Sequence, residues 1–374
     1  MKNRNLYNRI NYSRKLFLMS MTRYIGRSTN IKTKDLAKLE IKRILICRPN
    51  KRLGNLLLIT PLVQEVVEFF PNSRIDLFVR GGLANVVFEQ YNNVSRIITL
   101  PKKPFKELIK YIKVFISLKR ENYDLVINVD SYSSSGRLAT RITKGRIHFF
   151  NETNEELKAS IKDYMHSAKL PIYNFRKFLR QKMAIEHKKE IPLLDIKLSE
   201  AELANGKTIL NNIVPPTKKT IGIYTFATGS KCYTKEWWSE LYAKLIAEFE
   251  PKYNIVEILP IENESQIDFA ATSYYSKDIR EIASVMAHME VYLGADCGIM
   301  HLASAAKVQT IGLFSTTSLD VYHPYGNNSI AIKTNERSVE EVFQLFKMAF
   351  NSQHPISILK TGKKSRPILD ENKS

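Results

Sequence analysis

The segment Asp296-Cys297-Gly298-Ile299-Met300-His301 combines residue types that suit the binding of a phosphate group. It follows a short apolar run and precedes a helical pattern, so it is predicted to open a helix. Gly298 lets the backbone approach a ligand closely, and the free N–H groups of a helix start attract an anion. His301 adds a donor one turn later, while Asp296 orients the site or accepts from a hydroxyl. An N-cap aspartate followed by a surface histidine explains the same residues without a ligand.

A second polar segment, Thr228 to Lys235, lies between a predicted strand and a predicted aromatic helix. Its hydroxyl residues, glycine and two lysines suit phosphate contact by Ser230, by backbone N–H groups and by Lys235. The order Gly-x-x-x-x-Gly-Lys-Ser/Thr is absent, which excludes a P-loop. A plain polar loop is the simpler alternative.

Three further polar segments follow predicted strands. Arg52-Leu53-Gly54-Asn55 lacks the Gly-x-Gly-x-x-Gly pattern, which argues against a nicotinamide or flavin dehydrogenase, and its Gly54-Asn55 pair is alternatively only a tight turn. Residues 259–264 place carboxylates at a strand end. Asp130 precedes a stretch of serines and a glycine, where its carboxylate suits either a general base or a cap for the next helix.

Apolar runs that alternate with helical patterns must position these segments. Strands are predicted at 44–47, 74–79, 97–100, 123–130, 220–224, 255–259, 291–293 and 310–314, and helices at 56–70, 104–120, 235–249, 278–289, 298–306 and 338–350. Strands that are continuously apolar are typical of a parallel sheet covered on both faces. We therefore predict an α/β protein with two Rossmann-like doubly wound domains facing a cleft. Such sheets bind ligands beyond the carboxyl ends of their strands.

The predicted domain boundaries are a basic N-terminal extension over 1–40, Rossmann-like domains over 41–190 and 191–350, joined near Pro215-Pro216, and a basic tail over 351–374. The 374 residues carry a formal net charge of +20, with basic clusters over 1–34, 102–120, 176–189 and in the tail. Such a surface attracts polyanions, whether nucleic acid, anionic lipid or a phosphorylated substrate. Residues 14–24 suit a short basic helix on a membrane surface, or a solvated extension.

The remaining bulk features exclude several classes of protein. No window approaches the roughly 20 apolar residues that a membrane span requires. The cysteines Cys47, Cys232 and Cys297 have neither zinc-type spacing nor the number of a disulfide framework, which favours a reducing compartment. No RNA-binding motif accompanies the basic charge, so nucleic acid is not an expected partner.

Taken in order, four segments resemble glycosyltransferase family 9, the heptosyltransferase type. They are Arg48-Pro49 with Arg52 to Pro61, Lys235-Glu236-Trp237, Leu259-Pro260 with Asn263-Glu264, and Asp296 to Ala305 followed by Gly312-Leu313-Phe314 and His323 to Gly326. The resemblance covers roughly 43 to 330. It implies a fold of the glycosyltransferase B type, with the acceptor bound by the N-terminal domain and the nucleotide-sugar donor by the C-terminal domain.

The resemblance also implies an activity and a set of site residues. The activity is inverting transfer of a heptose or similar sugar from a nucleotide-diphosphate donor, ADP-heptose in the best-known members, to a lipopolysaccharide-core or other surface-glycan acceptor. Neither a metal nor a cofactor is expected, because helix N-termini and Lys235 supply positive charge for the leaving diphosphate. The implied acceptor-side residues are Arg52 and Gly54, and the implied donor-binding residues are Thr228, Ser230, Lys235, Glu264, Asp296, Cys297, Gly298 and His301.

The expected partners are therefore the nucleotide sugar, a glycolipid or glycan acceptor and an anionic membrane surface. The expected location is the cytoplasm, with peripheral attachment to the inner face of the cytoplasmic membrane.

Two positions depart from the family pattern. Asn55 stands where the family usually has an aspartate that serves as the catalytic base, and asparagine cannot accept that proton. Either Asp130 takes over, or the acceptor is activated differently, or the chain is a weak or inactive nucleotide-sugar-binding homologue. The candidate catalytic residues are accordingly Asp130, Asn55 and Lys235. Cys297 replaces a residue that usually carries a hydroxyl, which would change a donor contact.

Overall fold

A computed structural model describes residues 26–29, 40–102, 107–186 and 189–351. Two parallel sheets with surrounding helices make up the fold, which confirms the predicted α/β class. No helix in these ranges is long and apolar enough to span a bilayer. The predicted basic helix at 14–24 and nearly all of the predicted basic tail lie outside the described residues.

The first unit is built on a five-stranded parallel sheet with the order β3-β2-β1-β4-β5. Its strands are β1 (Arg43–Cys47), β2 (Arg74–Arg80), β3 (Val94–Leu100), β4 (Asn122–Asn128) and β5 (Lys144–Phe149). Ile44, Leu45 and Ile46 are all fully buried, because helices cover both faces of the central strand. The helices of this unit are α1 (Leu53–Leu57), α2 (Thr60–Phe69), α3 (Leu83–Val87), α4 (Leu108–Arg120), α5 (Ser134–Ile142), α6 (Glu155–Ser160) and α7 (Leu170–Met183).

The second unit has a six-stranded parallel sheet with the order β11-β10-β9-β6-β7-β8. Its strands are β6 (Lys219–Tyr224), β7 (Tyr253–Ile258), β8 (Thr272–Tyr274), β9 (Val291–Ala295), β10 (Gln309–Phe314) and β11 (Ile330–Lys333). Its helices are α8 (Glu200–Ile213), α9 (Lys235–Phe249), α10 (Ile279–Met286), α11 (Gly298–Ala305), α12 (Leu319–Tyr322) and α13 (Val339–Asn351).

The segment between the units contacts both of them. The hydroxyl of Tyr91 donates to the carbonyl of Asp195 at 2.7 Å, and the N–H of Ile196 donates to the carbonyl of Ala305 at 3.2 Å. The buried guanidinium of Arg280 on α10 adds a second tie, since it donates to the carbonyl of Val86 in the first unit at 3.0 Å. These contacts fix the relative position of the two sheets and so the shape of the space between them.

Several predicted elements need correction. The helix predicted at 56–70 begins earlier, at Leu53, and breaks after Leu57; α2 then starts with Pro61 in its first turn, where the missing N–H costs little. Strands β5, β8 and β11 were not predicted. All three are edge strands. Strands β5 and β8 are only partly buried, and β11, although buried, has just four residues, so each carries a weak apolar signal.

Candidate functional site

A cavity of about 790 Å³ lies between the two units. One wall is α1, which follows β1, and the other consists of the loop after β6 and the start of α11 after β9. The cavity therefore lies at the carboxyl ends of both sheets, where parallel α/β folds bind their ligands.

The second-unit wall contains a partly buried ion pair. The ammonium of Lys231 lies 2.5 Å from a carboxylate oxygen of Asp296, and it also donates to the Asp296 carbonyl at 3.3 Å. The side chain of Asp296 is only 4% exposed, whereas that of Lys231 is 36% exposed. Lys231 therefore neutralises the buried carboxylate and still presents cationic surface to the cavity.

The start of α11 forms the rest of this wall. Cys297, not Asp296, is its N-cap residue, and no side-chain hydrogen bond caps the helix. His301 is buried rather than on the helix surface, and burial lowers its pKa to about 4, so its ring is neutral near pH 7. The interpretation of Asp296 and His301 as an ordinary cap and a surface residue is therefore wrong. Uncapped first-turn N–H groups remain to bind an anion.

Two glycines bring the walls of the cavity together. A Cβ atom built on Gly54 would lie 2.8 Å from Cδ2 of His301. One built on Gly298 would lie 3.3 Å from Cβ of Leu53 and 3.4 Å from the backbone nitrogen of Gly54. The close approach of α1 and α11 thus depends on glycine at both positions, and Gly54-Asn55 is part of a helix rather than only a tight turn.

An arginine organises the first-unit wall. One guanidinium nitrogen of Arg48 forms an ion pair with Asp130, and another donates to the side-chain oxygen of Asn55 at 3.2 Å. The Arg48 side chain is 13% exposed and that of Asp130 is 32% exposed. Because the Asn55 oxygen accepts from Arg48, its amide N–H groups are the part left to face a ligand.

Asp130 does not cap the helix that follows it. Ser133 is the N-cap residue of α5, and its hydroxyl accepts from the N–H of Gly136 at 3.2 Å. Asp130 instead accepts from the N–H of Tyr132 at 2.9 Å with the carboxylate oxygen that does not contact Arg48. The capping interpretation of Asp130 is therefore wrong.

Most predicted site residues line the cavity; they are Arg52, Gly54, Asn55, Thr228, Ser230, Asp296, Cys297, Gly298 and His301. Three others do not line it. Asp130 connects to the cavity through Arg48 and Asn55. Lys235 forms an exposed ion pair with Asp268. Glu264 is exposed, and Glu262 lines the cavity instead.

Sequence reasoning missed Lys231, Arg48 and Glu257 as site-forming residues. Lys231 belongs to the same polar loop as Lys235, and only the turn of Gly229–Lys231, with Gly229 at a φ of 68°, shows which lysine faces inward. Glu257 is buried at the end of β7, where it accepts hydrogen bonds from Thr225 and Ser265. Burial raises the pKa of Glu257. These bonds join the loops after β6 and β7 beside the cavity.

Within the part of the chain that the structure describes, no cluster of three or more histidine, cysteine, aspartate or glutamate side chains is arranged to hold a metal ion.

The family profile described as "Glycosyltransferase family 9 (heptosyltransferase)" matches residues 111–345. The chain is 24% identical over 311 residues to lipopolysaccharide heptosyltransferase 1 of Escherichia coli strain K12, which covers 78% of this chain and 93% of that protein. It is 22% identical over 294 residues to lipooligosaccharide heptosyltransferase 2 of Campylobacter jejuni strain 81116, with coverage of 74% and 83%.

Solved structures share the fold. A family 9 glycosyl transferase from Veillonella parvula superposes with a TM-score of 0.65 at 17% identity, covering 83% of this chain and 98% of that one. The E. coli heptosyltransferase WaaC with ADP superposes with a TM-score of 0.61 at 19% identity, covering 82% and 99%. These likenesses agree with the predicted glycosyltransferase B type of fold.

Proposed function

Because the chain belongs to glycosyltransferase family 9, we propose that it is an inverting, metal-independent transferase. It moves a heptose or similar sugar from a nucleotide diphosphate to a lipopolysaccharide-core or other surface-glycan acceptor. One observation carries this proposal: the Lys231–Asp296 ion pair and the uncapped start of α11 both line the same cavity.

The choice of donor is supported by the relatives. Both curated relatives named above are heptosyltransferases, and one structural neighbour contains ADP. A cavity of about 790 Å³ is within the range of sites that hold small ligands and cofactors. ADP-heptose or a closely similar nucleotide sugar is the proposed donor.

The second-unit wall supplies the contacts for the donor diphosphate. Ser230, the first-turn N–H groups of α11 and the ammonium of Lys231 converge on the cavity. We assign to Lys231 the role expected of Lys235, because Lys235 lies outside the lining and is paired with Asp268. The helix start and Lys231 stabilise the negative charge that develops on the leaving diphosphate.

The other lining residues complete the proposed donor site. His301 is neutral near pH 7 and so contacts the diphosphate as a hydrogen-bonding group rather than as a cation. Burial raises the pKa of Cys297 to about 11, so its thiol stays protonated. Thr228, Gly298 and Glu262 line the cavity. We propose that the first two border the phosphates and that Glu262, with Glu264 beside it, contacts the nucleoside.

The first-unit wall supplies the chemistry on the acceptor. Arg48 holds Asp130 beside Asn55, which faces the cavity, and Arg52 and Gly54 flank the same surface. Asp130 is the one carboxylate of this group and is therefore the proposed base for the acceptor hydroxyl. Asn55 orients that hydroxyl by donating an amide N–H to its oxygen.

A second candidate function is a nucleotide-sugar-binding homologue with weak or no transferase activity. It is favoured by the position of Asp130, which does not line the cavity and whose two carboxylate oxygens already contact Arg48 and the N–H of Tyr132. Turnover of a labelled donor by the native protein, lost in an Asp130→Ala variant, would reject this candidate.

The assignment of acceptor binding to residues 41–190 and of donor binding to residues 191–350 belongs to the same proposal. So do a glycolipid or glycan acceptor and attachment to an anionic membrane surface at the inner face of the cytoplasmic membrane.

A calorimetric screen of nucleoside diphosphates tests the proposal. ADP is expected to bind more tightly than UDP, GDP or CDP, and a Lys231→Ala variant is expected to lose affinity for all four, because Lys231 contacts the diphosphate that they share. Absence of binding by all four nucleotides in the native protein would reject the donor site.

A further inference from the structure

The helix α4 exposes an apolar face that the described part of the protein does not cover. Leu108, Ile109, Ile112 and Ile116 have exposed fractions of 53%, 71%, 48% and 47%. Successive residues of an α-helix are about 100° apart, so these four share one face about 100° wide. The adjoining side of the helix, next to Leu108, carries Phe115 and Leu118, which are buried against the first sheet. Such a contiguous exposed apolar face indicates an interaction surface.

Cationic side chains border this face. Lys113 and Arg120 project beside Ile109, and Lys119 follows Ile116 at the carboxyl end of the face; all three are exposed, and the helix, with the sequence LIKYIKVFISLKR, contains no acidic residue. A basic helix with isoleucines on one face has the composition of amphipathic helices that lie in the interface of a lipid bilayer. In such helices the apolar side chains enter the head-group region, and the lysine side chains extend to the lipid phosphates. The charge is complementary to anionic lipid and opposes the pairing of this face with a second copy of itself.

The position of α4 relates this face to the cavity. A second cavity of about 590 Å³ is lined by Lys102, Lys110 and Lys113 together with residues at the carboxyl ends of β2 and β3. A Cβ atom built on Gly81 would lie 3.3 Å from Cε of Lys102 and 3.6 Å from Cβ of Lys51, the neighbour of Arg52. The start of α4 is therefore at the same edge of the sheet as the cavity between the two units.

We propose that this face of α4 docks the protein onto an anionic lipid bilayer. Leu108, Ile109, Ile112 and Ile116 enter the head-group region, and the bordering lysines and arginine contact lipid phosphates. The docking names the surface for the membrane attachment that the proposed function includes. The consequence that a lipid-anchored acceptor then lies beside the first-unit wall also rests on the proposed function, whereas binding of vesicles by this face is measured without any transfer reaction.

Vesicle sedimentation tests the docking. The full-length protein is expected to bind vesicles of phosphatidylcholine with phosphatidylglycerol, and to bind phosphatidylcholine vesicles at least about tenfold more weakly. A variant combining Ile109→Ser, Ile112→Ser and Ile116→Ser is expected to lose at least about tenfold in affinity for the anionic vesicles. A matched control combining Phe269→Ser and Met348→Ser removes apolar side chains of similar exposure elsewhere and is expected to bind as the native protein does.

Two further measurements distinguish docking onto a bilayer from contact between two copies of the chain. An Ile112→Trp variant is expected to show a blue shift of its emission when anionic vesicles are added, measured against the native protein with its two tryptophans. Light scattering reports whether the triple variant loses self-association, which would make the face a contact between copies of the chain. Vesicle binding that is unchanged in the triple variant, or abolished instead by deletion of residues 1–25, overturns the proposal.

ADP calorimetry on the same triple variant keeps the two proposals distinct. Normal ADP affinity with lost vesicle binding supports the docking face and leaves the donor site intact. Vesicle binding without any ADP binding in the native protein rejects the proposed donor site and leaves the docking face standing.

Discussion

The two walls of the cavity use their charges differently. On the second-unit wall, Lys231 neutralises the buried Asp296 and remains partly exposed beside an uncapped helix start. On the first-unit wall, Arg48 contacts both Asp130 and the side-chain oxygen of Asn55. The first arrangement is suited to hold an anion, and the second holds a carboxylate beside an amide. Under the proposed function, donor binding and acceptor activation therefore depend on separate groups, and the departure at Asn55 is expected to affect only the second.

Replacement of Asp130 by asparagine is expected to have the largest effect on catalysis. Asp130→Asn keeps the size of the side chain but removes the proposed base, so the transfer rate should fall by about 10²- to 10⁴-fold. Donor affinity should change by less than about twofold, because the variant leaves the second-unit wall untouched. Steady-state kinetics with a labelled donor measures both quantities.

The control is Asp268→Asn, which makes the same change in an exposed carboxylate outside the cavity. A transfer rate for Asp130→Asn equal to that of this control would place the base elsewhere.

A carboxylate introduced at position 55 tests how the first-unit wall activates the acceptor. Asn55→Asp is expected to raise the transfer rate about tenfold, because a second proton acceptor then lies in the cavity beside Arg48. Asn55→Ala, measured in the same assay, should lower the rate by removing the proposed hydrogen bond to the acceptor. A rate in the aspartate variant as low as in the alanine variant would contradict the expected gain and show that the amide itself is required.

The contact between the walls is tested by Gly54→Ala. The added methyl group meets His301, which is buried, so the two helices must move apart. We expect a loss of about 1–3 kcal/mol in the free energy of unfolding and weaker donor binding. Gly82→Ala is the matched control, because a Cβ atom there meets nothing within 4 Å and the backbone φ is −90°. Equal stability of the two variants, measured by chemical denaturation, contradicts the close approach of α1 and α11.

Buried histidines at the junction make stability depend on pH. Burial lowers the pKa of His301 to about 4, and it also lowers the pKa values of His166 and His323, whose rings lie 4.6 Å apart. Because the unfolded chain takes up protons near pH 6.5 and the folded chain does so only at lower pH, the free energy of unfolding should fall as pH decreases below about 6.5. The slope should reach at most about 1.4 kcal/mol per pH unit for each histidine.

Thermal denaturation between pH 7 and pH 5 measures this slope. A His301→Gln variant should show a shallower slope than the native protein, since one of the three groups is gone. Identical slopes in the two proteins would mean that His301 titrates alike in the folded and unfolded chains.

The central strands and most of the cavity could be predicted from the sequence, for a physical reason. Strands such as β1 and β9 are buried on both faces and so are continuously apolar, and the polar residues that follow them must lie at the carboxyl edge. This argument brings Gly54 and Asn55 together with Asp296 and Gly298. The edge strands β5, β8 and β11 are shorter or more polar and gave no comparable signal.

The choice among neighbouring polar residues could not be made from the sequence. Lys231 and Lys235 are four residues apart in one loop, and the turn at Gly229 directs the first into the cavity while the second begins α9 and pairs with Asp268. The bridge from Arg48 to Asp130 joins residues 82 positions apart, and only the parallel pairing of β1 with β4 brings them together. Such contacts depend on tertiary structure, which local patterns do not encode.

Calorimetric titration of ADP into paired lysine variants tests the assignment of the donor site most directly. Lys231→Ala is expected to weaken ADP binding by about 10- to 100-fold, because it removes a charged hydrogen-bond donor and leaves Asp296 buried without its partner. Lys235→Ala is expected to bind ADP as the native protein does, since it breaks only an exposed ion pair. The opposite result, with full affinity in Lys231→Ala and lost affinity in Lys235→Ala, would contradict the account.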